Sequence, residues 1–303
     1  MIGPVCYIDL LGFSYLTDHS DDIKIKAIIE RYISYLHNII YKAIEGTNIN
    51  VSVISDAVFL YTENKCDQLL FSLPQIFRQC ITSGILLRAG LSYGEFSITT
   101  TELSANNIYG EAVTRAVKLE KSGKGCRIFM DQNIPAQCSD IFLYNQEIFK
   151  QYRNYADYSY IDVFEWPLIY GNYYYSPTYS SYNVDLEPNK DLADLIFDNY
   201  KLSIYLRFSP YFSWNVQTVE GFTHVAVSIE YITSSIDLML KKTKNARISR
   251  IEENCNIKLR AIDREEVLED EYLPVDQLMN DNNRNDEIVE NMIGYGRRKY
   301  QNY

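Results

Sequence analysis

The sequence predicts an α+β fold, with a ferredoxin-like β-α-β-β-α-β core over residues 1–132 and a mixed C-terminal extension. Three observations carry that prediction. Short apolar runs ending at turn residues alternate with longer segments of helical period. Their order up to residue 99 is strand, helix, two strands, helix, strand, which is the split arrangement, and a further helix and strand follow by residue 130. The 303-residue chain is 47% hydrophobic and 23% charged, enough to bury a core without disulfide or metal staples.

Val5–Ile8 is an apolar run ending at Asp9 and reads as a buried strand, and Gly12 permits a tight turn after it. Ser20 is placed to cap a helix from about Asp21 to Ile44. Ala27, Ile28, Tyr32, Leu36, Ile39, Ile40 and Ile44 follow helical spacing in it, and Gly46 ends it. Ile49–Ile54 and Ala57–Tyr61 flank Ser55–Asp56 as a hairpin. A second helix is expected over 65–83, then one long strand over 85–99 with bends at Gly90 and Gly94. A helix over 110–121 and a strand over 127–130 close the unit. Residues 133–242 read as an accessory segment packing on this core, with a tyrosine-dense stretch at 152–182 and helices near 192–206 and 225–240. Residues 243–303 are polar and charged, and read as a mobile tail or a lone helix.

A net charge of −11 argues against nucleic acid or an anionic membrane as the main partner. No apolar run approaches the ~20 residues that span a bilayer, and the N-terminus lacks the basic region of a signal peptide. The six cysteines form no C-x-x-C pair and there are only three histidines, so a Cys/His zinc site is not expected; reduced thiols in a cytoplasmic protein are.

Four blocks carry the chemistry. In Asp9-Leu10-Leu11-Gly12-Phe13-Ser14, an aspartate at a strand end presents a carboxylate beside free backbone groups, the oxygen ligands that hard cations such as Mg²⁺ or Mn²⁺ prefer. Ser55-Asp56 could bring a second carboxylate beside the first, and two carboxylates that close repel unless a cation lies between them. Taken singly, Asp9 also reads as a turn former and Ser55-Asp56 as an ordinary hairpin. The third block is Leu87-Arg88-Ala89-Gly90-Leu91-Ser92-Tyr93-Gly94, and the fourth runs from Asn107 through Gly110, Val113, Thr114, Arg115 and Lys118 to Glu120. By themselves they describe a strand, whose Arg88 could be a surface ion-pair partner, and an amphipathic helix.

Together the four blocks resemble the class III nucleotidyl cyclases, and among them most closely the bacterial pyrimidine cyclases of Pycsar antiphage defence. The family pattern is D-hydrophobic-x-G-F-[ST], a G-D hairpin a little over forty residues later, R-x-G-x-x-x-G, and G-x-x-V-N-x-A-x-R at a helix start. Here Asp56 follows Asp9 by 47 positions and the blocks occur in order over about residues 3–132. The run Tyr109-Gly110-Glu111-Ala112-Val113-Thr114-Arg115-Ala116, with Leu119-Glu120 and Arg127-Ile128, is similar to the pyrimidine subgroup.

The resemblance implies that Asp9 and Asp56, with the Leu10 carbonyl, hold two divalent metal ions (Mn²⁺ or Mg²⁺). It places Leu11, Gly12, Phe13 and Ser14 along a triphosphate and Arg88 on a phosphate. Thr114 stands where the family has its ribose-orienting asparagine, and Lys118 where it has its transition-state arginine; Arg115 is positioned to supply the guanidinium instead. Ser52 and Asn107 occupy the base-reading positions and match neither purine pair, and both can donate and accept hydrogen bonds. The implied reaction converts UTP to 3′,5′-cyclic UMP and pyrophosphate in a homodimer whose sites lie between the chains, the product being read by a separate effector. CTP is the alternative substrate, and a non-catalytic nucleotide sensor the alternative role. Arg88, Arg115, Lys118 and Lys124 are expected to offset the acidic balance locally. The lack of a GG-[DE]-E-F hairpin argues against a diguanylate cyclase.

Overall fold

The computed structural model describes residues 1–18, 23–63, 65–101, 104–138, 148–153, 160–170, 173–174, 190–209, 212 and 215–242. The cap expected at Ser20, most of the stretch 152–182 and the tail 243–303 lie outside these residues.

β1 (Ile2–Leu10) is an interior strand of a seven-stranded sheet. It is followed by the short α1 (Phe13–Asp18) and by α2 (Ile23–Ile44), then by the hairpin of β2 (Asn50–Ile54) and β3 (Ala57–Tyr61), α3 (Asp67–Thr82) and β4 (Leu87–Glu95). β1 is antiparallel to β3 (Val5↔Tyr61 to Ile8↔Val58) and to β4 (Ile2↔Glu95 to Leu10↔Leu87), and β2 pairs antiparallel with β3. The strand order β2-β3-β1-β4 is the α+β split arrangement anticipated from the sequence.

Strand alternation divides β1 between two layers. Cys6, Ile8 and Leu10 enter the main core, where Leu36 and Ile40 of α2 and Leu69, Leu73 and Phe77 of α3 meet them. Val5 and Tyr7 face a smaller cluster on the other side, with Phe59, Tyr61, Phe96 and Ile108. Asp9 continues this second face.

The long strand expected over 85–99 is in fact two. β4 stops at Glu95, because Phe96 is drawn into the smaller cluster. β5 (Ser97–Thr101) then pairs with β6 (Ser104–Tyr109) in a separate two-stranded ribbon. Gly90 makes no bend: it pairs regularly with Tyr7 on one side and, in β7 (Ile128–Met130), with Phe129 on the other. Its role is close approach. A Cβ there would lie 2.0 Å from the carbonyl oxygen of Ala116 in α4 (Glu111–Glu120), so this helix rests directly on the strand. From α4 the chain enters β7, parallel to β4.

Residues beyond β7 extend the same sheet. β8 (Phe149–Arg153) pairs with β9 (Tyr160–Phe164), and β9 pairs with β7. A small ribbon of β10 (Ile169–Tyr170) and β11 (Tyr173–Tyr174) follows. α5 (Lys190–Phe208) and α6 (Val219–Lys242) pack on one another, and α5 also packs on α3. The buried Arg78 of α3 ties these parts together. Its guanidinium donates to Asn199 Oδ1 (2.7 Å) and to the carbonyls of Pro167 and Ile169 (3.1 Å each). Cys6, Cys66, Cys80, Cys126 and Cys138 are buried free thiols. No described helix is long and apolar enough to cross a membrane.

Candidate active site

The register that places Ile8 opposite Val58 puts the end of β1 beside the start of β3, and so Asp9 beside the Ser55–Asp56 turn. Ser55 adopts a positive φ of 57°, the conformation that makes the two-residue hairpin tight and points the chain back toward β1. The Asp9 carboxyl is pushed up to about 6. Burial is the main cause, followed by the negative charges of Glu120 and Asp56; Arg88 and Lys121 pull the other way. Three carboxylates therefore share one electrostatic neighbourhood under the C-terminal end of α4.

Glu120 is the member that sequence reasoning missed as a site residue. It is 1% exposed, its Oε1 receives Nε and Nη2 of Arg88, and its Oε2 has no hydrogen-bond partner among the described residues. Burial raises its pKa, and the Arg88 charge opposes that without cancelling it. Tyr7, two positions before Asp9 on the same face, has its hydroxyl pKa raised by burial and by Asp9, Glu120 and Asp56. Period-2 alternation from Asp9 was the available signal for Tyr7. For Glu120 no local signal pointed to the site, since its partner Arg88 stands 32 residues away in the chain.

The expected cations stand differently from one another. Arg88 is held by Glu120 and by the Gly123 carbonyl (2.9 Å), so its guanidinium is already engaged. Arg115 donates to the Tyr93 carbonyl and lies 3.4 Å from both Glu111 and Asp131. Lys124 pairs with Glu220. Lys118 is exposed and makes no ion pair among the described residues.

α4 separates these groups by its two sides. Ala112, Val113, Ala116 and Glu120 are buried against the sheet, whereas Thr114 and Lys118, four residues apart, are exposed on the outer side. The structure thus brings Asp9, Asp56, Arg88 and Glu120 together, and presents Thr114 and Lys118 away from them. Of the base-reading positions, Ser52 is buried in β2 opposite Phe59, and Asn107 is exposed in β6 opposite Thr99; β2 and β6 touch.

Gly12 takes φ 83°, which opens the turn into α1. The Leu11 N–H donates to the Leu86 carbonyl (2.8 Å) and is not available to a ligand. Phe13 is packed in the main core, so only its backbone can face one, and Ser14 is exposed. The Leu10 side chain is likewise in the core, which leaves its carbonyl.

Asp9 and Asp56 with that carbonyl are an all-oxygen donor set, and the charge repulsion that raises Asp9 is what a hard cation relieves. Among the described residues no three or more His, Cys, Asp or Glu side chains group to hold a metal ion. The pair fits a divalent cation that takes its remaining ligands from substrate and water.

No protein-family model matches the chain, and no curated protein matches it. Among solved structures it is similar to the guanylyl cyclase domain of the RhoGC fusion protein from the aquatic fungus Blastocladiella emersonii, at 14% identity and TM-score 0.42 over 54% of this chain and 93% of that one. It is also similar to the adenylyl cyclase CyaB from P. aeruginosa, at 12% identity and TM-score 0.39 over 54% and 93%. A bacterial light-regulated adenylyl cyclase matches at 18% identity and TM-score 0.41 over 55% and 90%. At identities and scores this low, what the chain does has to be read from its own residues.

Proposed function

We propose that the chain is a nucleotidyl cyclase of the class III type, acting as a homodimer on a pyrimidine nucleoside triphosphate, UTP before CTP. The observation that carries this reading is the division of α4. The carboxylates lie under its inner side, and Lys118 and Thr114 stand on its outer side. One chain offers the two halves of a phosphoryl-transfer site in different directions, and a second copy related by a two-fold axis would bring the halves together twice. Exposed apolar side chains at Val53, Ile54 and Tyr109 suit burial in such a contact.

Asp9, Asp56 and the Leu10 carbonyl would hold divalent cations. What a divalent ion supplies in such a site is a more acidic 3′-hydroxyl and neutralised phosphate charge. The ribose 3′-oxygen attacks the α-phosphorus and the bond to pyrophosphate breaks. The backbone from Gly12 to Ser14 would lie along the triphosphate. Lys118 of the other copy supplies a point charge to the α-phosphate as negative charge builds, without the planar fork of an arginine. Thr114 would contact the ribose. Ser52 and Asn107 would read the base edge by hydrogen bonds that a mismatched base cannot complete. Arg88 then serves to hold Glu120 rather than a phosphate. The product would be a cyclic pyrimidine messenger for a separate effector in antiphage defence, an extension that rests on the family resemblance.

The test is incubation with each of ATP, GTP, CTP and UTP plus Mn²⁺, with mass detection and Asp56→Ala as control. A cyclic pyrimidine monophosphate from the wild type alone is expected. The engagement of Arg88 and Arg115 within the chain favours a second reading, a cyclase-fold sensor; nucleotide binding without any cyclic product would establish it.

A further inference from the structure

The two loops that border the candidate site are held by one short piece of the C-terminal extension. Residues 215–217 form a single 3-10 turn, and α6 starts at Val219. Asn215 is 1% exposed, and its Nδ2 donates to the carbonyl oxygen of Leu11 (2.9 Å), in the turn between Asp9 and α1. Two turns farther along, His224 Nδ1 accepts from the Gly125 N–H (3.0 Å). Ser228 Oγ accepts from the Cys126 N–H (2.8 Å) and donates to the His224 carbonyl (2.7 Å). Gly125 and Cys126 belong to the loop that leaves α4 directly after Glu120.

The geometry is close as well as bonded. A Cβ on Gly221 would lie 1.7 Å from the Asn215 carbonyl oxygen, so α6 is seated against the Asn215 turn. A Cβ on Gly125 would meet Val227 at 2.9 Å. On the other side, the Trp166 indole donates to the Cys126 carbonyl (2.7 Å). Exposed at the rim, Lys124 pairs with Glu220. Backbone atoms of both loops are thus fixed by buried side chains of the Asn215 turn and of the α6 helix seated against it, whose spacing sets the distance between them.

We propose that Asn215, His224 and Ser228 are positioning residues, which brace the β1–α1 turn and the α4–β7 loop and thereby hold Asp9 and Glu120 in register for cation and nucleotide binding. The proposal rests on the cyclase reading for its kinetic consequence, not for its effect on cation affinity. Removing His224 or Ser228 leaves a backbone N–H unsatisfied, removing Asn215 leaves the Leu11 carbonyl unsatisfied, and the loop that carries the orphaned group loosens.

The test uses the full chain with Asn215→Ala, His224→Ala, His224→Gln and the milder Ser228→Ala, and with Thr223→Ala, whose hydroxyl donates to the Val219 carbonyl within α6, as control. Hydrogen exchange, Mn²⁺ affinity in the absence of nucleotide, and kcat and KM for the best substrate are measured. Expected are about tenfold faster exchange confined to amides 11–14 and 121–126 and Mn²⁺ affinity lowered by about tenfold, the scale for lost orienting contacts. A fall in kcat larger than the change in KM, partial recovery in His224→Gln and no effect of Thr223→Ala are also expected. Uniformly faster exchange across the sheet overturns the proposal, because the contacts are then ordinary packing. Faster exchange in the loops with unchanged Mn²⁺ affinity overturns it as well. If no variant and no wild-type sample forms a cyclic product, the cyclase reading fails, and the Mn²⁺ affinities alone decide the brace. Should Asn215→Ala or His224→Ala fail to fold, Ser228→Ala carries the same comparison.

Discussion

The two sides of α4 are built on opposite principles. The inner side is half-buried to buried and largely paired within the chain: Glu120 holds Arg88, Arg88 holds the Gly123 carbonyl, and Asp9 sits beside them at a raised pKa. The outer side is wet and unfinished, with Thr114 and Lys118 exposed and Lys118 without an ion pair among the described residues. Burial explains the contrast. A charge is kept from water at low cost only when another charge or a hydrogen bond compensates it, so the buried Glu120 is paired with Arg88 within the chain. An exposed lysine has no such obligation, and can wait for a ligand or a second copy.

The largest expected effects break the inner side. Asp9→Asn or Asp56→Ala lowers cyclisation by about 10³-fold, the scale for removing a group that stabilises transition-state charge, as product formation would report. Arg88→Ala leaves Glu120 buried without its partner. It lowers stability by about 3–5 kcal/mol, read in urea unfolding, because a lone buried carboxylate costs more than the pair contributes.

A smaller effect separates binding from stability at Asp9. Its folded pKa, about 6, lies above the unfolded value, so its contribution to stability is complete below pH ~4 and is lost as pH rises through about 6. Thermal unfolding from pH 4 to pH 8 should show that loss. Asp9→Asn should flatten the profile and raise Tm at pH 7, while added Mn²⁺ should raise the wild-type Tm only above about pH 6. The smallest effect lies at the hairpin. Ser55→Gly relieves a positive φ of 57° and stabilises by up to about 1 kcal/mol in the same unfolding assay, with cyclisation unchanged.

The parts of this site legible in the sequence were those with a local signature. An apolar run ending in an aspartate, a two-residue hairpin and the small-residue periodicity of α4 each declare themselves within ten residues. The β5–β6 ribbon did not, because Phe96 ends β4 through contact with Tyr61 and Ile108, which local alternation cannot report. The engagement of Arg88 was equally hidden, since its partner stands 32 residues away and sequence offers no reason to prefer a carboxylate over a phosphate. The helices at 192–206 and 225–240 could be read from period alone, but not that Asn215 reaches back 204 residues to the Leu11 carbonyl. Long-range polar contacts leave no period in the chain.

The proposed reaction puts the two sides of α4 to work in different copies. Mixing Asp56→Ala chains, which keep Lys118, with Lys118→Ala chains, which keep the carboxylates, tests it most directly. Random re-pairing in equal amounts makes half the dimers mixed, each with one intact site. Cyclisation should therefore recover to roughly one quarter of the wild-type rate, although each variant alone is inactive. A mixture no more active than the sum of its parts, with exchange of chains confirmed, would contradict the account and place the whole reaction within one chain.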